Sequence, residues 1–382
     1  MKGLYVYYGT GSVGVIKKID MQLKELRTIA DVDLIKVSYS KRTIWKKIKS
    51  EMPFFDCGFD YAPLYNYLND NSVDFIYIRR TTADSAYYSF LKYIKKINPM
   101  CKVLIEIYTY PYDIDDYKRN LRHSLVMYPY YMRDKYYRTR LSGLVDRFVT
   151  YSDDDYIYGI KTIKTCNGVN VDEIKPLINR DDVDNSNLNL IAVAGMQVHH
   201  GYERLIRGLH EYNQKAENRK VVFHMVGEGP EIDYYRRLVA KFKLHNTVLF
   251  YGKRIGEELD EVYEKADIAI GSLGLYKYNI YCNSTLKSGE YLAKGLPIIS
   301  GCKISTIEKE NNRFIYEVAN DSSTVDVQKI VDFYDDLYSD YNRVEIRKDI
   351  RDYAKTKFDM PVVMGPIVEY ILNYSQASKC DF

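Results

Sequence analysis

The chain has 382 residues, of which 46% are hydrophobic and 28% charged, and its formal net charge is +3. This length exceeds that of one ordinary domain, so two domains are expected, and so small a charge does not indicate nucleic-acid binding. No apolar run is long enough to span a bilayer, and the first residues are too glycine-interrupted for a signal peptide, so we expect a cytoplasmic protein.

Short β-rich runs alternate with helical patterns along both halves of the chain. This alternation predicts two doubly wound parallel sheets, each covered by helices on both faces, with a cleft between them. In the first half a helix is predicted over 15–28 and strands over 4–8, 33–37, 75–79, 103–107 and 147–150. A polar stretch at 181–189 reads as a linker. Beyond it, strands are predicted over 190–194, 221–226, 247–251, 268–271 and 297–300, and helices over 202–216, 230–242, 256–265, 285–294 and 361–374.

The glycine loop at residues 9–14 (GTGSVG) follows a predicted strand and precedes a helix, so it suits an anionic ligand, with Gly11 and Gly14 at the site. A dinucleotide site also expects an acidic residue at the end of the second strand, and none is present there. An NADP enzyme that uses Lys41 and Arg42 stays open as an alternative.

The six cysteines and six histidines form no spacing typical of metal sites or disulfide frameworks, and no metal is expected. The 40 tyrosines are spread over the whole chain. Their distribution favours biased amino-acid usage over a dedicated surface for stacking carbohydrate.

Three motifs in the second half occur in a recognisable order: 193–206, 223–231 with 248–252, and 286–299. Together they resemble the donor-binding half of glycosyltransferase family four, which are retaining GT-B enzymes. The resemblance covers residues 190–300 and extends weakly to 106–113 and 167–169. It implies a GT-B fold of two Rossmann-like domains, with the acceptor domain at 1–175 plus a returning helix at 361–382, and the donor domain at 185–360.

The resemblance also implies roles for donor-domain residues. Gly195 would lie under the diphosphate of a nucleotide sugar, and Glu290 would bind the ribose. The remaining donor-site residues would contact the base (Lys253 and Arg254) or the diphosphate and sugar (Thr285, Leu286 and Lys287). Cations and amides would stabilise the leaving diphosphate without a metal.

Two positions depart from the family pattern. Met196 and His200 stand where an arginine and a lysine are frequent, and we expect a protonated His200 to replace part of that charge in catalysis. Cys282 stands where the family has a second glutamate. Either the donor sugar is held differently, with Lys277, Asn279 or Asn283 as substitutes, or the chain is a catalytically silent partner protein.

For the acceptor, Glu106 and Asp113 are the predicted contacts or proton acceptors, because ligands gather at the carboxyl ends of parallel strands. A Glu106 that is buried against Arg79 or Arg80 is the alternative.

The basic, aromatic-rich stretches 41–49 and 130–140 suit contact with an anionic membrane, and a solvated charged face is the alternative. The resemblance thus implies sugar transfer from a UDP- or GDP-sugar to a glycan or lipid-linked glycan in surface polysaccharide synthesis.

Overall fold

The computed structural model describes residues 1–9, 13–40, 57–112, 117, 121–177, 187–215, 219–304, 313–339 and 342–377. The chain separates into two compact units. Unit 1 comprises Met1–Cys166 and Met360–Phe382, and unit 2 comprises Asn167–Asp359. The predicted domain boundaries at 175 and 185 stay a prediction. None of the described helices is long and apolar enough to cross a membrane.

Unit 1 alternates strands and helices from its first residues. Its elements before residue 166 are β1 (Lys2–Tyr8), α1 (Val13–Leu26), β2 (Asp31–Val37), α2 (Ala62–Asp70), β3 (Phe75–Arg79), α3 (Ser85–Ile97), β4 (Lys102–Ile107), α4 (Leu121–Arg138), β5 (Arg147–Thr150), β6 (Tyr156–Ile157) and β7 (Ile160–Lys164). Near-continuous burial of β1, β3 and β4 shows that this sheet is covered on both faces.

Unit 2 repeats the alternation with a second set of elements. They are β8 (Asn187–Val193), α5 (Glu203–Tyr212), β9 (Lys220–Val226), α6 (Ile232–Lys241), β10 (Val248–Gly252), α7 (Glu257–Tyr263), β11 (Ile268–Ile270), α8 (Leu286–Ala293), β12 (Ile298–Ser300), β13 (Ile315–Glu317), α9 (Val327–Tyr338) and α10 (Arg343–Lys357). Short 3₁₀ helices at Val198–His200 and Leu275–Tyr278 lie in two of the connections.

Both sheets reverse their winding direction beside the first strand of the unit. The order is β2-β1-β3-β4-β5-β7-β6 in unit 1 and β10-β9-β8-β11-β12-β13 in unit 2. Among the strands that the structure describes, all pairings are parallel except that of β6 with β7. Connections leave the first strand in opposite directions at such a point, which opens a crevice at the carboxyl ends of the strands. The candidate sites are therefore expected after β1 and β3 in unit 1, and after β8 and β11 in unit 2.

The last helix, α11 (Met360–Ala377), is part of unit 1. The Lys102 ammonium donates to the carbonyl oxygens of Tyr370 (2.9 Å) and Ile371 (3.2 Å). The Thr165 hydroxyl also donates to the Val363 carbonyl. These contacts join α11 to the first residue of β4 and to the residue that follows β7.

The predicted fold class is confirmed, and each predicted strand overlaps an observed one. Three elements of unit 2 that lie after residue 300, namely β13, α9 and α10, were not predicted. The predicted linker at 181–189 was too long, because its last three residues form the start of β8, while 181–186 lie outside the described residues.

Candidate functional site

The loop after β8 is built on close backbone packing and leaves one face of Gly195 open. Gly201 has φ of +61°, and a Cβ there would lie 2.5 Å from the Gly274 nitrogen, so this position accepts no side chain. A Cβ on Gly229 would lie 2.0 Å from the Gly195 carbonyl oxygen. By contrast, a Cβ on Gly195 would meet nothing within 4 Å. The internal packing of unit 2 therefore does not require a glycine at 195, and the exposed backbone there is accessible to a ligand.

Helix α8 begins beside this loop. The Tyr291 hydroxyl accepts a hydrogen bond from the Val193 amide (2.9 Å), which ties the helix to the end of β8. Thr285 precedes α8 in an extended conformation, and its side chain bonds to the Ser288 hydroxyl (2.8 Å) rather than capping the helix backbone. The first turn of α8 carries no acidic residue. Amides at Leu286 and Lys287 thus present the positive end of the helix dipole at the predicted diphosphate position.

Lys287 is a predicted site residue whose surroundings disfavour its charge. Its ammonium donates to the buried Tyr202 hydroxyl over 3.3 Å. Desolvation lowers the pKa of Lys287 to about 7. An anion bound at this place would raise that pKa again, because it favours the charged form.

His200 does not supply the charge that the sequence analysis assigned to it. Its Nδ1 accepts a hydrogen bond from the Gln197 amide at 2.8 Å, and its ring stacks on Tyr202. Burial and the neighbouring Lys287 hold the pKa of His200 far below its usual value. The imidazole is therefore neutral at physiological pH, and the prediction of a catalytic imidazolium is wrong. His200 shapes the loop instead.

Met196 also contributes no polar group to the loop surface. Its side chain is fully buried in the hydrophobic core of unit 2. Lys277 lies in the same region, but its ammonium pairs with Glu203 at 2.6 Å and donates to the Val198 carbonyl at 3.2 Å. Lys277 therefore stabilises the 3₁₀ turn that begins at Val198, and its charge is compensated by Glu203.

The remaining predicted donor residues lie at the surface of unit 2. Glu290 is exposed on α8, one helical turn after Lys287, so both share one face. Lys253 and Arg254 are exposed after β10, and Arg254 pairs with Glu258 at 3.1 Å. Cys282 is partly exposed in the segment before α8. Contact of these residues with a nucleotide sugar stays a prediction.

Glu106 in unit 1 belongs to a buried charge network. Lys18 and Arg79 pair with its carboxylate at 3.1 and 2.9 Å, and the Gln22 amide (2.6 Å) and the Tyr77 hydroxyl (2.8 Å) donate to it. Two cations and these donors lower the pKa of Glu106 to about 2. The pKa of Lys18 falls to about 8, because burial outweighs its attraction to a carboxylate that it shares with Arg79.

This network corrects the acceptor prediction for Glu106. The side chain is fully buried and its oxygens already accept from the network, so it is neither exposed to an acceptor nor basic enough to remove a proton. The alternative of a Glu106 paired with Arg79 is the one observed. Asp113, Gly11 and the stretch 41–49 lie outside the described residues, while Gly14 is exposed in the first turn of α1.

A cavity of about 440 Å³ lies at the carboxyl ends of the strands of unit 1. Its lining residues lie at or after the ends of β1, β2, β3 and β4, before α2, or on α4. We call it the aromatic cavity, because eight of its lining residues carry rings: Tyr8, Tyr39, Phe59, Tyr108, Tyr112, Tyr117, Tyr130 and Tyr131. Arg79 connects the Glu106 network to its wall, since the guanidinium lies 4.5 Å from the centre of the Tyr108 ring. The even spread of tyrosines along the sequence gave no signal of this cluster.

Comparisons with known proteins agree with this architecture. Residues 187–336 match the family model described as glycosyl transferases group 1. The comparison with curated protein sequences found no match.

Several solved structures share the fold over nearly the whole chain. A glycosyltransferase from Rickettsia africae has a TM-score of 0.64 at 16% identity, with 98% of both chains covered. Anabaena HepE, solved with UDP, has a TM-score of 0.62 at 14% identity, covering 98% of this chain and 100% of its own. The lipopolysaccharide outer core galactosyltransferase WaaB has a TM-score of 0.57 at 11% identity, covering 98% and 99%. Residues 187–336 are therefore similar to the glycosyl transferases group 1, and the chain has the GT-B fold that these glycosyltransferase structures share.

Proposed function

We propose that this chain transfers a sugar, with retention of configuration, from a UDP- or GDP-sugar to a hydroxyl of a glycan or lipid-linked glycan. The observation that carries the proposal is the arrangement of Gly195, Lys287 and the start of α8 in unit 2. Gly195 follows β8, to which α8 is hydrogen-bonded through Tyr291, and Lys287 lies in the first turn of α8. An open glycine backbone, a helix N-terminus and a desolvated lysine are groups that can stabilise a diphosphate.

In the proposed reaction the acceptor oxygen bonds to the anomeric carbon as the bond between that carbon and the diphosphate oxygen breaks. The acceptor hydroxyl proton passes to the leaving diphosphate. Lys287 and the first amides of α8 hold the negative charge that develops on the diphosphate. The proposal includes that Lys287 and these amides take the place of a metal ion at the diphosphate. Uracil as the base of the donor is supported by the likeness to HepE, which has been solved with UDP and with UDP-glucose.

The proposal is tested by thermal shift of the pure protein with a metal chelator present, against UDP, GDP, ADP and NADPH. A ligand that binds only the folded protein raises the melting temperature. A shift with UDP or GDP alone is expected and identifies the base. A shift with NADPH alone would contradict the proposal.

A catalytically silent partner protein is the second candidate, because neither Met196 nor His200 supplies a cation to the loop after β8. A silent partner would bind no donor, or would bind one without turnover. Hydrolysis and transfer assays with the nucleotide sugar of the base identified above separate the two candidates.

We also propose that helix α4 rests on an anionic membrane on the cytoplasmic side. Leu125, Tyr128, Met132 and Tyr136 are exposed and fall on one face of this helix, with 70% of Leu125 accessible. The exposed cations Lys135 and Arg140 lie beside them, a combination typical of helices that lie in the headgroup region. This surface fits a role in surface polysaccharide synthesis on a lipid-linked acceptor.

Sedimentation with vesicles tests the membrane proposal. The protein is expected to pellet with phosphatidylserine-containing vesicles and not with phosphatidylcholine alone. A double variant, Leu125→Ser with Met132→Ser, is expected to stay in the supernatant. Equal binding of this variant and the wild type would contradict docking through α4.

A further inference from the structure

We propose that Tyr202 is a positioning residue of the donor site, and that its hydroxyl holds the ammonium of Lys287 at the start of α8 for the diphosphate. The inference rests on the glycosyl transfer proposed above. It adds a residue that does not touch the donor, since Tyr202 is fully buried. It also gives a role to His200, whose ring stacks on that of Tyr202.

The hydroxyl of Tyr202 is in direct contact with the lysine. The Lys287 ammonium donates to it over 3.3 Å and lies 5.7 Å from the centre of the tyrosine ring. Within the described part of the chain, this ammonium is the one hydrogen-bond partner of the hydroxyl, and no carboxylate pairs with Lys287. A buried polar group that loses its partner is costly, so the two groups hold each other in place.

The ring of Tyr202 is fixed by three aromatic neighbours. His200 stacks on it with ring centres 5.5 Å apart and planes at 11°, while Phe223 of β9 and Tyr235 of α6 pack at 5.8 and 6.0 Å. His200 is itself fixed, because its Nδ1 accepts a hydrogen bond from the Gln197 amide at 2.8 Å. The hydroxyl therefore occupies a place that the core of unit 2 determines.

A lysine needs such a fixed point if it is to stabilise a leaving diphosphate. A flexible four-carbon stem connects its ammonium to the backbone, and ordering that stem costs conformational entropy. A cation that is already in place when charge develops on the leaving group needs no reorganisation at that moment. Tyr202 therefore orders Lys287 before the donor binds, and the donor does not have to do so.

The hydroxyl also favours the charged form of Lys287, because it accepts a hydrogen bond from the ammonium. The other titratable groups of this region lie on the 3₁₀ helix, after β12, on α8 and in an ion pair: His199, His200, Cys302, Glu290 and the compensated pair of Lys277 with Glu203. His200 is neutral, and the thiol of Cys302 stays protonated because burial raises its pKa to about 12. Burial likewise raises the pKa of Tyr202, so its hydroxyl is a neutral acceptor.

The first test is a double-mutant cycle on the full chain, with UDP and GDP as probes. Tyr202→Phe removes the hydroxyl and keeps the ring. At about pH 8 it is expected to lower the affinity for the nucleotide that binds by about tenfold, the usual strength of a hydrogen bond to a charged group. In the Lys287→Gln background the same change is expected to have no further effect, because Tyr202 acts through the lysine. A loss of equal size in both backgrounds would overturn the proposal.

Tyr235→Phe is the matched control. It removes a buried hydroxyl from the same aromatic cluster, and this hydroxyl has no hydrogen-bond partner among the described residues. Thermal melts verify that both variants fold. Nucleotide affinity should fall in Tyr202→Phe and stay at the wild-type value in Tyr235→Phe. Equal losses in the two variants would mean that Tyr202 only packs the core, which also overturns the proposal.

A measurement on the free protein separates this inference from the proposed function. NMR of isotope-labelled, methylated lysines follows the titration of Lys287 without nucleotide, and Lys287→Gln identifies its signal. In Tyr202→Phe the signal is expected to titrate up to about one pH unit lower, which corresponds to a tenfold effect, and in Tyr235→Phe it should not move.

The outcomes of this titration are distinct. An unchanged titration in folded Tyr202→Phe would overturn the role of Tyr202, whether or not UDP binds. If the wild type binds neither UDP nor GDP while the signal moves as expected, the transferase proposal fails, and the contact of Tyr202 with Lys287 still determines the charge of that lysine.

Discussion

The ammonium of Lys287 lies 3.3 Å from the hydroxyl of Tyr202, a tyrosine that is fully buried in unit 2. This contact places the cation of α8 against the loop after β8, where His200 is held neutral. The loop therefore relies on Lys287, and not on the histidine, for positive charge near the predicted diphosphate.

Affinity for UDP is predicted to fall as pH rises. The pKa of Lys287 is lowered to about 7, and the bound diphosphate favours its charged form, so binding takes up a proton above that pH. Between about pH 7.5 and about pH 9 the affinity should drop by up to about tenfold per pH unit. The thiol of the nearby Cys302 stays protonated over this range, because burial raises its pKa to about 12. Isothermal titration calorimetry in buffers of different ionisation enthalpy measures both the affinity and the proton uptake.

Two lysine variants serve as a matched pair for this pH dependence. Lys287→Gln should bind UDP weakly and with little dependence on pH. Lys253→Gln, which removes an exposed lysine in the same unit, should retain the dependence. A flat profile in the wild type would show that Lys287 does not contact the diphosphate.

Glu106→Gln is predicted to destabilise the chain by about 3–5 kcal/mol, because it leaves Lys18 and Arg79 buried without their carboxylate. Urea unfolding measures the change. Asp31→Asn, an exposed carboxylate variant in the same unit, should stay within about 0.5 kcal/mol of the wild type. Equal stabilities of the two variants would contradict a charge network centred on Glu106.

The same carboxylate predicts the acid dependence of stability. The pKa of Glu106 is about 2 in the folded chain, below its unfolded value of about 4.3. The contribution of Glu106 to the free energy of unfolding is thus complete above its unfolded pKa, and it is lost as pH falls from there toward about 2. The wild type should lose unfolding free energy over that range, and Glu106→Gln should lose less. Parallel urea titrations in acid check the difference.

Two glycine variants of the loop after β8 are predicted to have different effects, Gly201→Ala on stability and Gly195→Ala on UDP binding. Gly201→Ala meets the Gly274 backbone and requires a left-handed conformation, so it should destabilise the chain by about 2 kcal/mol or more. Gly195→Ala meets no atom and should change stability by less than about 0.5 kcal/mol. Gly195→Ala should still lower the affinity for UDP about tenfold, because the methyl group obstructs a hydrogen bond to the diphosphate. Thermal melts and calorimetry separate the two effects, and unchanged UDP affinity in Gly195→Ala would exclude the loop as the diphosphate site.

Cys282→Glu is predicted to raise turnover with the matching nucleotide sugar by about tenfold or more, if the partly exposed Cys282 marks a weakened sugar site. The physical reason is that a carboxylate accepts strong hydrogen bonds from sugar hydroxyls, while a thiol does not. Cys282→Gln is the uncharged control. Unchanged turnover in both variants would indicate that other residues hold the donor sugar.

The sequence determined the alternation of buried strands and helices, since near-continuous apolar runs and helical periodicity are local properties. The glycines after β8 and β9 were also informative, because a position where two backbone segments approach closely accepts no side chain. The signal for α9 was also present: Asp326 caps it, and Val327, Ile330, Val331, Tyr334 and Leu337 recur at helical spacing. That helix was missed although its pattern was local.

The tertiary structure alone decided which polar side chains remain available to a ligand. Lys18 and Glu106 are 88 residues apart in sequence, and only folding brings them together to neutralise a carboxylate that ends a strand. His200 is neutral because burial and the adjacent Lys287 disfavour its charged form. Tyrosines spread evenly in sequence converge in one cavity for the same reason: the ends of parallel strands meet at one edge, whatever their separation along the chain.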